Sequence, residues 1–272
     1  MALYSTTNAA GGVERTEVGG FVLSATRAIE ASRSAPLLLT ARVGRCVAAA
    51  CAAHDSHAPL VRHWFTQGIG LQPGLAVVDR LSGLGAGTSV TDWADSRQIL
   101  WGDPQIVTNV AYNSDECTLE PTHFQTRSLC CLNMIHSPNA DTPTDISCDI
   151  RVDVMQQTPV PPHDLPVSVQ PQWCRALMRR CFTPPTTAPG EPAMRYEFAY
   201  RWDAADLPSL LTKRKEAEPA CEVALTVDNV QTLTALEFGH ACNALIARAT
   251  HLLHPGPHQQ RYMLFEQSET RC

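Results

Sequence analysis

Apolar and polar residues alternate with period two in three stretches of the chain. Ile150, Val152 and Val154 alternate with Asp149, Arg151, Asp153 and Gln157. Tyr196, Phe198, Tyr200 and Trp202 alternate with Arg195, Glu197, Ala199 and Arg201. Val223, Leu225 and Val227 alternate with Glu222, Ala224, Thr226 and Asp228. Side chains of a strand point to opposite faces in turn, so each stretch predicts a strand with one apolar and one polar face. Phe21 to Arg33 instead puts Val22, Ala25, Ala28 and Ile29 on one face, which predicts a helix ended by Pro36. Leu37 to Val43 then reads as a strand. The alanine-rich Cys46 to Phe65 predicts a second helix, followed by a loop over Gly68 to Gly74.

Beyond that loop, short apolar or alternating runs are separated by turn signals. These include Gly83, Gly85, Gly87, Asn113-Ser114-Asp115 and Ser137-Pro138-Asn139. Proline clusters within 159–166 and 184–192 predict two long loops. A final helix starts at Thr234, whose spacing to Glu237 is that of a capping box. It carries a stripe of Leu245, Ile246, Ala249, Leu252 and Leu253, and Pro255 stops it. Few helices among many strands predict an all-β or α+β fold.

Composition narrows the picture. With 272 residues, 44% hydrophobic and 18% charged, the chain can bury a sizeable core. Mean hydropathy is -0.13, and no apolar run approaches the ~20 residues of a membrane span. The net charge of -6 excludes general coating of nucleic acid, so any RNA contact must come from a local arginine cluster. Eleven cysteines, an odd number with Cys130 and Cys131 adjacent, fit reduced and mostly buried thiols. Met1 to Gly20 has no secretory apolar stretch and makes a poor mitochondrial presequence. A nuclear or cytoplasmic location is expected.

Four segments, in order, resemble the metal-dependent RNA 5′-triphosphatases of fungal, protist and viral mRNA capping. Leu38-Leu39-Thr40-Ala41-Arg42-Val43-Gly44 is similar to that family's Glu-Ile-Glu-Ala-Arg-Leu-Gly strand. Residues 149–160, Asp-Ile-Arg-Val-Asp-Val-Met-Gln-Gln-Thr-Pro-Val, resemble its Asp-x-Arg-x-Ser-x-Ser-x-Glu-x-Pro-Val strand. Arg179-Arg180-Cys181-Phe182 followed by Arg195-Tyr196-Glu197-Phe198 looks like its next pair. Glu222-Val223-Ala224-Leu225-Thr226 resembles its Glu-Val-Glu-Leu-Glu strand, and the amphipathic helix after it also agrees.

The resemblance implies a single antiparallel β-barrel with flanking helices, a tunnel that encloses a triphosphate. It implies a flexible tail over 1–19, the barrel domain over 20–254 and a C-terminal tail over 255–272. It also implies phosphate-binding roles for Arg42, Arg151, Arg180 and Arg195, with Asp149, Asp153 and Glu197 as pairing carboxylates. The family's metal glutamates bind Mg²⁺ or Mn²⁺, hard cations that take oxygen ligands. They correspond here to Leu38, Thr40, Gln157, Ala224 and Thr226, with only Glu222 retained. The expectation is therefore an RNA triphosphatase-like protein that handles RNA 5′ ends without catalysis or cofactor. Two alternatives stand beside it. One is a non-catalytic barrel subunit of a larger assembly, like the related barrel of the Mediator head or the guide-RNA-binding subunits of kinetoplastids. The other is a still-active polynucleotide 5′-phosphatase using Mg²⁺ or Mn²⁺. The RNA 5′ end, and a protein partner in a hetero-oligomer, are the expected partners, with no membrane.

Other clusters carry less. Cys51, His54, His57 and His63 are spaced loosely like a zinc site, but also at helical intervals. His251, His254 and His258 straddle a helix end and read as surface. Lys213-Arg214-Lys215, flanked by Glu216 and Glu218, reads as a solvated loop. No phosphate-cradling glycine loop and no serine-nucleophile elbow occur.

Overall fold

The three alternating stretches become central strands of one sheet that closes on itself. The computed structural model describes residues 4–5, 12–32, 35–51, 60–101, 106–112, 121–136, 146–165, 173–186, 193–255 and 262–267. In chain order they form β1 (Tyr4–Ser5), α1 (Gly12–Ala31), β2 (Leu37–Cys51), β3 (Leu60–Gln67), α2 (Leu71–Ser82), β4 (Ser89–Val90) and β5 (Ala94–Trp101). There follow β6 (Ile106–Tyr112), β7 (Thr122–His136), β8 (Asp149–Pro159), β9 (Trp173–Thr183) and β10 (Arg195–Ala204). The chain then forms α3 (Leu207–Glu216), β11 (Ala220–Val227), α4 (Ala235–Leu253) and β12 (Tyr262–Gln267).

Eight of these strands pair antiparallel in the cycle β2–β8–β7–β6–β5–β9–β10–β11 and back to β2, a closed barrel. Closure leaves no free edge around the ring. The second half of β2 pairs with β3, the end of β7 pairs with β12, and β12 with β1. The β7–β8 register shifts between Ser128 and Cys130, a bulge in the barrel wall.

The hydrophobic core lies outside the barrel, not inside it. Val43, Val152, Val154, Phe198, Val223 and Leu225, all on the apolar face of their strands, are almost wholly buried. They pack with Phe21, Ala25, Val77, Leu81, Phe238, Leu245 and Leu252 of α1, α2 and α4. Each such side chain contributes about 1.5–3 kcal/mol on burial. Gly74 allows α2 to close on β11, since a Cβ there would stand 2.3 Å from the Cys221 Sγ. A smaller cluster, Cys174, Ala176 and Leu210, fixes α3 against β9 with Ile99 and Trp202. The aromatic face of β10 is therefore covered: Tyr196 is 5% exposed, and Trp202 donates its Nε1 hydrogen to the Ala217 carbonyl.

Helix α4 has the expected capping box, with Thr234 and Glu237 bonded reciprocally. Three sequence readings need correction. The described parts of Cys46 to Phe65 are strand, not helix: β2 runs on through Cys51 and pairs with β3, from Gly44 opposite Gln67 to Cys51 opposite Leu60. Close approach at Gly44, where a Cβ would lie 2.2 Å from the Thr66 carbonyl oxygen, explains why β3 can lie there. The stretch read as the loop Gly68 to Gly74 contains the first turn of α2. Lys213-Arg214-Lys215 is the last turn of α3, where cations favour the helix C-terminus. In the stretches read as tails, α1 starts at Gly12 and β12 pairs with β7.

Candidate functional site

The polar halves of the alternating strands face the barrel lumen in two circumferential rows. Register across four ladders aligns Glu197, Ala224, Arg42, Arg151 and Asn133 in one row. It aligns Arg195, Thr226, Thr40, Asp153 and Cys131 in the next. Arg175, Arg179 and Arg201 continue the same face, opposite Asp203, Ala199 and Leu177. Six guanidinia thus stand on the lumen wall: Arg42, Arg151, Arg175, Arg179, Arg195 and Arg201.

Their partners differ. Asp153, fully buried, receives Arg42 Nη2 at 2.6 Å on one oxygen and Arg151 Nε at 2.9 Å on the other. The Ser128 hydroxyl donates to it as well, at 2.9 Å. Burial works against the Arg151 charge, but Asp153 beside it outweighs that and holds the guanidinium above its usual pKa. Next to this group, Asn133 is 3% exposed and its amide oxygen has no hydrogen-bond partner among the described residues. Asp149, further along the same face, accepts the backbone N–H groups of Cys46 and His136. Burial pushes the Cys46 thiol up to about 12, so it stays neutral.

Farther round, Glu222 Oε1 accepts from Arg201 at 2.7 Å and Arg175 at 3.2 Å, and Asp203 pairs with both arginines. Arg195 joins Glu197 and Asp228, with Arg179 3.8 Å from Glu197. Arg179 and Arg195 keep 38% and 35% exposure, so solvent reaches this part of the wall.

Of the four arginines singled out in the sequence, three line the lumen. Arg180 does not. It lies opposite Phe198 on the outer face, donates to the Thr91 carbonyl, and stands over the rings of Trp93 and Phe182. Its neighbour Arg179 takes the inward position. Arg201 was present in the alternation of β10 and Arg175 shares parity with Arg179, so the pattern held the signal for both.

The positions likened in the sequence to the family's metal glutamates lie as follows. Glu222, Ala224 and Thr226 face inward on β11, opposite Thr40 and Arg42 of β2, and Leu38 lies opposite Met155. Among the described residues, no group of three His, Cys, Asp or Glu side chains is arranged to hold a metal ion. Of the loosely zinc-like set, Cys51 and His63 lie on paired strands β2 and β3, while His54 and His57 fall outside the described residues. His254 is not a surface residue. It is buried at the end of α4, bonds the Tyr262 hydroxyl at 2.6 Å, and stacks on His136 at 5.1 Å. His258 lies outside the described residues. Arg214 makes a double contact with Asp95, which ties α3 to β5.

An eight-stranded antiparallel barrel with a polar lumen, its core outside under flanking helices, is the triphosphate-tunnel fold of RNA triphosphatases. The structure of the Pct1 RNA triphosphatase of S. pombe matches it with a TM-score of 0.60 at 11% identity, over 92% of this chain and 99% of that one. Pct1 in complex with the Spt5 CTD matches at 0.55 and 12%, over 86% and 93%. The Mimivirus capping enzyme triphosphatase matches at 0.49 and 7%, over 88% and 97%. No family model and no curated protein sequence matches the chain. At these identities the likeness is one of fold, and function must be argued from the site.

Proposed function

We propose that the barrel binds the 5′-triphosphate end of an RNA and does not hydrolyse it. The observation that carries this reading is the pair Arg42 and Arg151 on a single buried carboxylate, Asp153. Two guanidinia share this one anion, which leaves N–H groups of their forks for phosphate oxygens. An acidic protein has no general attraction for RNA, so recognition rests on the highly charged end and not on the length of the strand.

The residues present do not fit a catalytic Mg²⁺ or Mn²⁺. Leu38 and Ala224 offer no ligand atom, and Thr40, Thr226 and Gln157 bring no charge to offset a dication. Glu222, the remaining carboxylate at these positions, already receives two guanidinia on one oxygen. The fold likeness to Pct1 supports the substrate class. That Pct1 also occurs in complex with the Spt5 CTD favours a second reading, a protein-binding barrel subunit. In this chain the exposed Trp93, stacked on Tyr200 at 5.4 Å, is consistent with it.

The test is an RNA labelled on its γ-phosphate and incubated with the protein and Mn²⁺ or Mg²⁺. The expected result is label retained by the protein and still attached to the RNA. Metal-dependent release of phosphate that disappears on Glu222→Ala would establish the active phosphatase instead. Failure to retain the RNA at all would leave the protein-binding reading.

A further inference from the structure

At the end of the barrel where β9 begins and β10 ends, an open cleft of about 500 Å³ is lined by Trp173, Arg175, Asp203, Ala204, Ala205 and Lys213. Its size falls in the range of small-ligand sites. Resting on the reading above, we infer that this cleft stacks the unpaired base of a nucleotide near the RNA 5′ end while the phosphates occupy the lumen.

Arg175 connects the two places. Its Nε donates to Asp203 at 2.7 Å and its Nη1 to Glu222 at 3.2 Å, so the guanidinium is held from two sides. Its Cζ lies over the Trp173 ring, 4.4 Å from the ring centre. A guanidinium stacked on an indole orients the ring in advance, and an oriented aromatic loses little entropy when a base is laid against it. Every nucleobase has a π-face, so such a platform accepts any sequence. Across the cleft, Lys213 bonds the Asp203 carbonyl at 2.8 Å and is exposed, leaving N–H groups for a phosphodiester oxygen. With Arg175 already bonded to Asp203 and Glu222, the cation that the cleft offers to an anionic strand is Lys213. Arg175 is bonded to Glu222, which also receives Arg201, so the cleft adjoins the inner wall of the barrel.

The experiment compares two probes, a short single-stranded RNA with a 5′-triphosphate and inorganic tripolyphosphate, on wild-type protein, Trp173→Leu and Trp173→Tyr. Trp173→Leu should weaken the RNA about tenfold, as the loss of one base stack predicts, and leave tripolyphosphate unchanged. Trp173→Tyr should keep most of the RNA affinity. If Trp173→Leu binds RNA as tightly as wild type, the cleft holds no base. If wild type does not bind tripolyphosphate, yet RNA binding is lost on Trp173→Leu, the lumen reading fails and the cleft stands. If wild type binds neither probe, both fall. Should Trp173→Leu not fold, Lys213→Ala on the exposed side is expected to weaken RNA several-fold without touching tripolyphosphate. No selective loss there would overturn the cleft.

Discussion

Two parts of the same inner wall treat their arginines differently. Between β2 and β8, Arg42 and Arg151 converge on one carboxylate, Asp153. Between β9, β10 and β11, Arg175 and Arg201 have two, Glu222 and Asp203. The second group is neutral and each member has an alternative partner. The first has one bonded carboxylate for two guanidinia, wholly buried, while Asp149 on the same face is taken up by backbone N–H groups. The difference is why, on the reading proposed above, the β2–β8 guanidinia are the ones that take up an anion. It also makes that side the more fragile, because a buried ion pair stripped of one partner leaves charges unpaired.

Asp153→Ala should break this comparison most forcefully. It removes the common partner of two guanidinia that are only 22% and 16% exposed. A loss of about 3–5 kcal/mol is expected in urea unfolding. An effect below about 1 kcal/mol, the scale of an ordinary exposed pair, would mean that Asp153 does not organise the wall. Next in size, Arg151→Ala should weaken binding of a 5′-triphosphate RNA by about 1.5–3 kcal/mol, the worth of a charge-assisted bond. Arg180→Ala, on the outer face, should leave that affinity unchanged. Equal losses from both would erase the distinction between inner and outer face. Glu222→Ala should cost less than Asp153→Ala, about 1–2 kcal/mol of stability, because Asp203 still pairs with both arginines; equal losses would remove the contrast between the two groups. Smallest is Thr234→Ala, outside the barrel. Loss of that cap should lower stability by about 1 kcal/mol with no change in ligand affinity, which calibrates folding effects against binding effects.

Much of the fold was legible in the sequence because one physical rule governs it. In β8, β10 and β11 the period-two pattern separates a helix-covered face from a lumen face, and the buried Val152, Val223 and Leu225 follow it. The rule fails where side chains carry no contrast. Ala48, Ala49 and Ala50 have high helix propensity and no alternation, so the extension of β2 is decided by pairing with β3, a tertiary fact. Arg179 and Arg180 are adjacent cations, and composition alone gives no reason to prefer one. Only the alignment of Arg180 with Phe198 shows which points outward. His254 looked exposed because its partners, Tyr262 and His136, arrive from other strands. The convergence of two arginines on Asp153 was invisible for the same reason, since Arg42 and Asp153 are 111 residues apart.

The central claim is that the lumen recognises a triphosphate end without a metal. The most direct measurement is the affinity of one short RNA with a 5′-triphosphate against the same RNA with a 5′-hydroxyl, in EDTA. The triphosphate form should bind at least tenfold more tightly, ~1.4 kcal/mol, and the preference should collapse in Arg42→Ala and Arg151→Ala. Equal, weak binding of both RNAs, or a preference that vanishes on chelation, would contradict it.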